Sequence, residues 1–188
     1  MPAKTRVLRR AVFLDRDGVV NRALLKDGRP LAPRSIKEFK LLPKVAQAVK
    51  DLRRAGFLVI VATNQPDVGA GKQSRASVEK IHARLRRTVV LDGFKVCYHT
   101  DEDACDCRKP KPGMLLEAAS ELKIDLKHSF MVGDRWRDIE AGKSAGCRTV
   151  WIRSQYKERP VENPDAVGDS LYEASRLILL GKVKRKGK

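Results

Sequence analysis

Apolar runs of strand length alternate along the chain with segments in which apolar residues recur at helical spacing. The runs that predict strands cover residues 11–15, 57–62, 94–98, 130–132 and 149–152. The segments that predict helices cover residues 42–54, 74–89, 112–122, 139–145 and 171–180. Because strands and helices alternate, the pattern predicts an α/β fold, with a doubly wound, mostly parallel sheet and helices on both faces.

One long stretch departs from this alternation. Residues 21–42 show no clear periodicity and contain two prolines, so we expect a loop or flap that is long enough to be functional. The pattern shows no internal repeat and no second domain. We therefore expect a single domain over residues 11–180, preceded by a basic arm at 1–10 and followed by a basic tail at 181–188.

The charge is strongly positive and is concentrated at the two ends. The 188 residues carry 40 Lys and Arg against 23 Asp and Glu, a net charge of +17. Nine of the basic residues lie in the arm and the tail, which leaves +8 for residues 11–181. This excess suits the attraction of an anionic substrate. The ends are expected to be solvated, with weak nonspecific affinity for polyanions.

The apolar runs also bear on where the protein works. None of them approaches the length that crosses a membrane. The run at 11–14, which follows the basic arm, is too short for the core of a signal peptide. We expect a cytoplasmic monomer with no membrane partner.

Two carboxylates stand one residue apart at the end of the first predicted strand. Asp15 and Asp17 would project on the same side of that strand, and Gly18 allows a sharp turn after them. Two such carboxylates repel each other unless a cation lies between them or one holds a proton. The pair suits a Mg²⁺-dependent nucleophile with an acid/base beside it, although a solvated Asp-Gly turn would have the same sequence.

Other polar residues follow the remaining strands, where this architecture binds ligands. Thr63 and Asn64 follow the second strand. Asp134 follows the fourth strand, with Asp138 one helical turn later, and Lys109 precedes the 112–122 helix. Each of them alone could be a strand end, a turn former or a surface charge. Together they form the set of carboxylates, hydroxyl and lysine that phosphoryl transfer requires.

A cluster of cysteines and a histidine predicts a separate metal site. Three thiols and one imidazole fall within eleven residues, at Cys97, His99, Cys105 and Cys107. This ligand set is favoured by tetrahedral Zn²⁺, and a closed set of four ligands indicates a structural ion. The remaining cysteine, Cys147, is expected in the core. His82 and His128 are expected to be ordinary surface or helix residues.

Taken in order, these motifs resemble those of the haloacid dehalogenase-like (HAD) hydrolases. They are Asp15-x-Asp17-Gly18, Thr63-Asn64-Gln65, Lys109, and Gly133-Asp134 with Asp138. The resemblance covers roughly residues 10–155. The run Asp-Arg-Asp-Gly-Val-Val-Asn resembles the small, nearly capless phosphatases of subfamily IIIA. The resemblance implies a Rossmann-like sheet without a cap domain, with short loop insertions and a zinc-binding loop.

The resemblance also implies roles for individual residues. Asp15 would be the nucleophile and Asp17 the general acid/base. Thr63 and Lys109 would hold the transferring phosphoryl group. Mg²⁺ would be bound by Asp15, the backbone carbonyl of Asp17, and Asp134. Substrate contacts would come from Asn64, Arg108 and Arg135.

The substrate remains open between branches of the family. The segment 105–114 resembles the branch that acts on heptose bisphosphates, so a sugar bisphosphate is the first expectation. Residues 66–71 depart from that branch, and the five residues between His99 and Cys105 are typical of the branch that acts on histidinol phosphate. Polynucleotide 3′-phosphatases share the same motifs and are a further alternative.

A nucleic-acid-binding zinc protein is the alternative that is not an enzyme. The net charge of +17 and the basic ends favour it. However, the zinc spacing matches no familiar DNA-reading finger, and aromatic residues make up only 5% of the chain and form no stacking stripe. We therefore expect a small phosphorylated metabolite, rather than a nucleic acid, as the partner.

Overall fold

The computed structural model describes residues 8–185; residues 1–7 and 186–188, the outer parts of the expected basic arm and tail, lie outside the described residues. The strands are β1 (Arg10–Leu14), β2 (Leu24–Lys26), β3 (Arg29–Leu31), β4 (Phe57–Asn64), β5 (Gly93–Cys97), β6 (Phe130–Gly133), β7 (Arg148–Ile152) and β8 (Ala166–Gly168). The helices are α1 (Val45–Arg54), α2 (Pro66–Gly69), α3 (Arg75–Thr88), α4 (Gly113–Leu122), α5 (Trp136–Ser144) and α6 (Leu171–Leu179), with a 3-10 turn at Leu126–His128.

Six strands form one parallel sheet in the order β5-β4-β1-β6-β7-β8. The chain runs outward from β1 to β5 on one side and then from β6 to β8 on the other, which is the doubly wound topology. The predicted fold class is therefore confirmed. Each of the five predicted strands is present, with ends displaced by one or two residues.

Strand β1 lies at the centre of the sheet because both of its faces are apolar. Val12 and Leu14 belong to one buried cluster, and Ala11 and Phe13 belong to the cluster on the opposite face. All four side chains are fully buried, and burying a large apolar side chain contributes roughly 1.5–3 kcal/mol. This packing fixes the position of the residues that follow β1.

The strand register brings three strand ends to one level. Leu14 of β1 pairs with Val61 of β4 on one side and with Val132 of β6 on the other. Since the three strands are parallel, the segments that follow them emerge side by side at the same edge of the sheet.

The stretch 21–42 was predicted as a loop or flap, and it contains two short strands that were not predicted. Strands β2 and β3 form a small antiparallel hairpin. Asp27 and Gly28 at its tip have φ values of 53° and 79°, and two such residues are typical of a tight hairpin turn. Strand β8 was also not predicted. These strands have only three residues each, too few to show a clear alternation.

The helices complete the layers on the two faces of the sheet. The apolar stripe of α1, formed by Val45, Ala48, Val49 and Leu52, is buried in the same cluster as Leu14. Ser74 caps α3, because its hydroxyl accepts a hydrogen bond from the backbone N–H of Ser77. No helix among residues 8–185 is long and apolar enough to span a membrane.

Candidate active site

A cavity of about 100 Å³ opens at the edge of the sheet where β1 and β4 end. Its floor includes acidic and basic side chains, and one wall comes from strand β3 of the β2–β3 hairpin and the residue after it. The lining residues are Asp15, Asp17, Pro30, Leu31, Ala32, Asn64, Gln65, Pro66, Asp67, Lys109, Arg135, Arg137 and Asp138. Five of the side chains predicted to be functional therefore share this cavity: Asp15, Asp17, Asn64, Lys109 and Arg135.

Lys109 is a buried cation in the floor of the cavity. Its Nζ lies 2.7 Å from Oδ1 of Asp15 and 2.6 Å from Oδ1 of Asp138, and it donates to the carbonyl of Ala62 at 2.8 Å. Three acceptors match the three protons of an ammonium group. Burial alone would lower the pKa of Lys109, but Asp138 and Asp15 outweigh burial and raise it. The side chain is thus held charged.

Three carboxylates surround this lysine. Asp15, Asp134 and Asp138 are all buried, and each offers an oxygen within 4.8 Å of the others. Burial raises the pKa of Asp15 to about 6; Lys109 opposes the rise, and Asp138 adds to it. Burial, followed by the charges of Asp15 and Asp138, also raises the pKa of Asp134. The cluster therefore has more negative charge than one lysine offsets.

The cluster fits a divalent cation. Oδ1 of Asp134 is buried and accepts no hydrogen bond from any described residue, and such an orphaned oxygen is costly unless it binds a donor or a metal. Carboxylate oxygens are the ligands that Mg²⁺ prefers. Asp138 belongs to this cluster, although the predicted Mg²⁺ ligands were Asp15, the backbone carbonyl of Asp17, and Asp134. The Asp17 carboxylate does not belong to it within the described chain.

Asp17 is held by protein donors on both of its oxygens. Arg16 donates to Oδ1 from Nε at 3.1 Å and to Oδ2 from Nη2 at 2.9 Å. Asn21 adds a hydrogen bond to Oδ1 at 2.9 Å, and Gln65 adds one to Oδ2 at 2.8 Å. These four contacts fix the orientation of a carboxylate that also faces the cavity. The Asp17 side chain is therefore oriented by residues that sequence reasoning did not single out.

Arg16 is itself anchored by a buried histidine. Its Nη1 lies 2.9 Å from Nε2 of His82, and both side chains are fully buried. The expectation that His82 is an ordinary surface or helix residue was therefore incomplete: it lies in α3, but it faces inward. Burial, with the Arg16 charge second, lowers the pKa of His82 to about 4.

The residues at the end of β4 and just after it connect several parts of the cavity through hydrogen bonds. Thr63 is buried, and its hydroxyl accepts a hydrogen bond at 2.9 Å from Gln65, the same amide that donates to Asp17. Asn64, predicted to contact substrate, donates to the Lys109 carbonyl at 3.0 Å and accepts from the Lys109 N–H at 3.1 Å. Asn64 thus fixes the backbone that presents Lys109, in addition to lining the cavity.

The arginines divide between the cavity and its surroundings. Arg108, predicted to contact substrate, donates to Asp101 at 2.8 Å and is not among the described residues that line the cavity. Arg135 lines the cavity and pairs with Glu158. Arg137 also lines it and pairs with Asp101 at 2.9 Å. Nothing in the sequence motifs indicated Arg137, which lies on α5. Its partner Asp101 is in the cysteine-containing loop, so their contact depends on how that loop folds.

The segment after β7 encloses Asp134. Trp151 and Ser154 both donate to the backbone carbonyl of Asp134, at 3.1 and 2.7 Å. The hydroxyl of Tyr156 donates to Oδ2 of Asp134 at 2.6 Å. Burial, with Asp134 second, raises the pKa of Tyr156, so the phenol keeps its proton. These three residues were not predicted, since no local motif places them beside Asp134.

The four predicted zinc ligands converge beside this site. The Sγ atoms of Cys97 and Cys105 lie 3.7 Å apart, and Cys107 lies 3.0 Å from Cys97 and 3.5 Å from Cys105. Nδ1 of His99 lies 3.2 Å from the Cys107 sulfur. A tetrahedral zinc with bonds of about 2.3 Å requires sulfur separations of roughly 3.8 Å. The Cys97–Cys107 pair is closer than this, but the cysteines form no disulfides, and three thiolates with one imidazole are the ligand types that Zn²⁺ prefers.

Comparison with known proteins identifies relatives over most of the chain. A family model described as HAD-hydrolase-like matches residues 106–174. The D-glycero-beta-D-manno-heptose-1,7-bisphosphate 7-phosphatase of Pseudomonas aeruginosa is 35% identical over 170 residues, covering 88% of this chain and 93% of the relative. The D-glycero-alpha-D-manno-heptose-1,7-bisphosphate 7-phosphatase of Mycobacterium tuberculosis strain H37Rv is 36% identical over 173 residues, covering 86% and 87%.

A solved structure gives the same relationship in three dimensions. The D,D-heptose 1,7-bisphosphate phosphatase from B. bronchiseptica, crystallised with magnesium and phosphate, superposes with a TM-score of 0.80 at 31% identity. The match covers 92% of this chain and 99% of that one.

Proposed function

The chain belongs to the HAD-like hydrolases, and from this premise we propose that it is a Mg²⁺-dependent phosphatase that removes the 7-phosphate from D-glycero-D-manno-heptose 1,7-bisphosphate. The observation that carries the proposal is the contact of Lys109 with Asp15 and Asp138 in a cavity that Asp17 also lines. Relatives that share about a third of the sequence over most of its length carry this activity in their names.

The first step is an in-line attack by Asp15. A carboxylate oxygen of Asp15 forms a bond to phosphorus, and the bond between phosphorus and the sugar oxygen breaks. Asp17 enters this step as the protonated acid and gives that proton to the departing oxygen, which leaves as the sugar hydroxyl. Lys109 and Thr63 hold the phosphoryl oxygens, so that the charge on them is offset where it develops.

The second step releases phosphate. Asp17, now deprotonated, takes a proton from a water molecule as that water attacks phosphorus. The bond between phosphorus and Asp15 breaks, and both aspartates return to their starting states. Mg²⁺ held by Asp15, Asp134 and the Asp17 carbonyl would neutralise negative charge between the carboxylates and the phosphate.

The rest of the proposal concerns the molecule around this site. We propose that residues 11–180 act as one domain, that the protein is a cytoplasmic monomer, and that the zinc ion is structural. Arg135 and Arg137 in the cavity wall supply positive charge for a doubly phosphorylated substrate. Neither a membrane nor a nucleic acid is needed as a partner.

Histidinol phosphate is the competing substrate, because the cysteine loop is as short as in that branch of the family. The test measures phosphate release from both anomers of the heptose bisphosphate, from histidinol phosphate, and from an oligonucleotide with a 3′-phosphate. Each is measured with Mg²⁺ and again with EDTA. We expect the highest kcat/KM for one heptose anomer, and no release in EDTA. A higher kcat/KM for either of the other substrates would overturn the sugar assignment.

A further inference from the structure

The two oxygens of the Asp134 carboxylate have different surroundings. Oδ2 accepts the 2.6 Å hydrogen bond from Tyr156. Oδ1 is equally buried but accepts no hydrogen bond from any residue between 8 and 185. One oxygen is therefore already bound, and the other is left for a ligand.

Gly18 closes the same side of the carboxylate. A Cβ atom added to Gly18 would lie 1.7 Å from Oδ2 of Asp134 and 2.9 Å from the Tyr156 hydroxyl. Only a residue without a side chain can pass this close, so the backbone at Gly18 packs directly against Oδ2. With Gly18 packed on one side, the Tyr156 hydroxyl takes the space at Oδ2 that a metal ion would need.

Tyr156 is held in place from both sides. The segment that carries it is attached to the Asp134 carbonyl through Trp151 and Ser154. On its other side, the N–H of Lys157 donates to the carbonyl of Gly28 at 2.9 Å, which ties the segment to the β2–β3 hairpin. The hydroxyl therefore points at Oδ2 because of the surrounding fold, and not through a flexible contact.

We propose that Tyr156 restricts Asp134 to binding a metal through one oxygen, and that this restriction favours Mg²⁺ over Ca²⁺. Mg²⁺ is small and takes six ligands at 2.0–2.1 Å, usually one oxygen from each carboxylate. Ca²⁺ takes six to eight ligands at 2.3–2.6 Å and often binds both oxygens of one carboxylate. The inference depends on one part of the proposed function, which is that the carboxylate cluster binds the metal ion.

The test compares metal binding by the wild type and Tyr156→Phe. Protein that keeps its zinc but is free of Mg²⁺ and Ca²⁺ is titrated with MgCl₂ and, separately, with CaCl₂ in a calorimeter, and the ratio of the two dissociation constants is the readout. Partners of ligands typically change metal affinity by about 10- to 100-fold. We expect the preference for Mg²⁺ over Ca²⁺ to fall by about tenfold in Tyr156→Phe, because Oδ2 becomes free to bind Ca²⁺.

Two control variants separate the hydroxyl from general loosening. Tyr98→Phe removes a hydroxyl that donates to Glu79 at 2.6 Å, away from the carboxylate cluster. Ser154→Ala removes one of the two hydrogen bonds that attach the segment to the Asp134 carbonyl but keeps the Tyr156 hydroxyl. Both should keep the wild-type ratio. A shift in Ser154→Ala equal to that in Tyr156→Phe would overturn the inference, because the position of the segment would then be the cause.

Other results would also overturn it. An unchanged ratio in Tyr156→Phe, or an equal loss of affinity for both ions, would show that the tyrosine does not select the metal. If either result is found and phosphate release by the wild type still requires Mg²⁺, only the inference fails and the proposed function stands. If the wild type binds neither ion, both the inference and the Mg²⁺-dependent function fail together.

Discussion

Lys109 is the residue on which the charges of the site depend. It is 2% exposed and touches two of the three clustered carboxylates. Removing one partner from a buried ion pair leaves the other charge uncompensated, at a typical cost of roughly 3–5 kcal/mol.

We expect Lys109→Met to lower the free energy of unfolding by on the order of 3 kcal/mol and to abolish measurable turnover. Added Mg²⁺ should recover part of the stability, because it replaces the lost positive charge. Lys111→Met is the control, since this neighbouring lysine is half exposed and should change neither quantity much. Denaturant unfolding with and without Mg²⁺ measures the change in stability, and phosphate release measures turnover. Turnover at the wild-type rate in Lys109→Met would refute a catalytic role for Lys109.

His82 is a buried base with one protonation state compatible with its contacts. Nε2 receives the Arg16 N–H at 2.9 Å, so the ring proton lies on Nδ1, which faces Oε1 of Glu79 at 3.4 Å. A second ring proton would set two cations against each other. The folded-state pKa, about 4, therefore lies below the ordinary value of 6.5.

A depressed histidine pKa stabilises the fold above pH 6.5, and this stability is lost as the pH falls towards 4. Between pH 6.5 and pH 4, we expect the free energy of unfolding of the wild type to fall by on the order of 2 kcal/mol more than that of His82→Gln. Glutamine can accept the hydrogen bond from Arg16, but it does not titrate. Denaturant unfolding at a series of pH values measures the difference. The exposed His128→Gln is the control. Parallel pH profiles for the wild type and His82→Gln would contradict the assignment.

The residues of the site differ in how far the sequence could predict them. The sequence alone indicated that Asp15, Asp17, Lys109 and Asp134 act together, because each follows or precedes a predicted element at the same edge of the sheet. Tyr156 could not be found in this way, since its contact with Asp134 depends on the path of an irregular segment.

A signal for His82 was nevertheless available. It falls at helical spacing with Val78, Ile81 and Leu85, all of which are buried in α3. This spacing places it on the inner face of the helix.

At the scale of elements, the loop from Cys97 to Cys107 leads directly into the segment that carries Lys109, the proposed catalytic lysine. The proposed zinc site ends two residues before Lys109, and the N–H of Gly113 donates to the carbonyl of Asp106 within the loop. Metal binding and local order are coupled in such a loop, because few apolar contacts hold it otherwise.

We expect Cys107→Ser to lose zinc, to increase amide hydrogen exchange over residues 97–111, and to lower turnover through displacement of Lys109. The wild type should contain about one zinc per chain, as a single four-ligand site requires. Cys147→Ser, in a buried cysteine outside the loop, should keep its zinc. Metal analysis and hydrogen exchange test this directly, and a fully active, zinc-free wild type would overturn it.

Element length explains which parts of the fold the sequence could predict. The strands that were predicted, β1 and β4 to β7, have four to eight residues each. Strands β2, β3 and β8 have three residues each, so they depend on neighbours for pairing. The Asp27-Gly28 pair was the local signal for the hairpin. Its role as a cavity wall depends on packing that the pattern does not contain.

At the scale of the whole molecule, alternation along the chain was sufficient to predict the doubly wound sheet and the edge where polar residues meet. The substrate could not be derived in the same way, because the cavity wall comes from the β2–β3 hairpin, the segment after β4 and the residues around the start of α5. These pieces are far apart in sequence. The net charge of +17 indicates an anionic partner but does not distinguish one phosphate ester from another.

The central claim is that Asp15 attacks phosphorus in a Mg²⁺-dependent phosphatase. The most direct measurement is phosphate release from heptose 1,7-bisphosphate by the wild type and by Asp15→Asn, both with Mg²⁺. Asp51→Asn, a carboxylate on α1 outside the cavity, is the control. We predict a loss of more than about 10³-fold in Asp15→Asn, with an unchanged unfolding transition and a fully active control. Turnover by Asp15→Asn within tenfold of the wild type would contradict the claim.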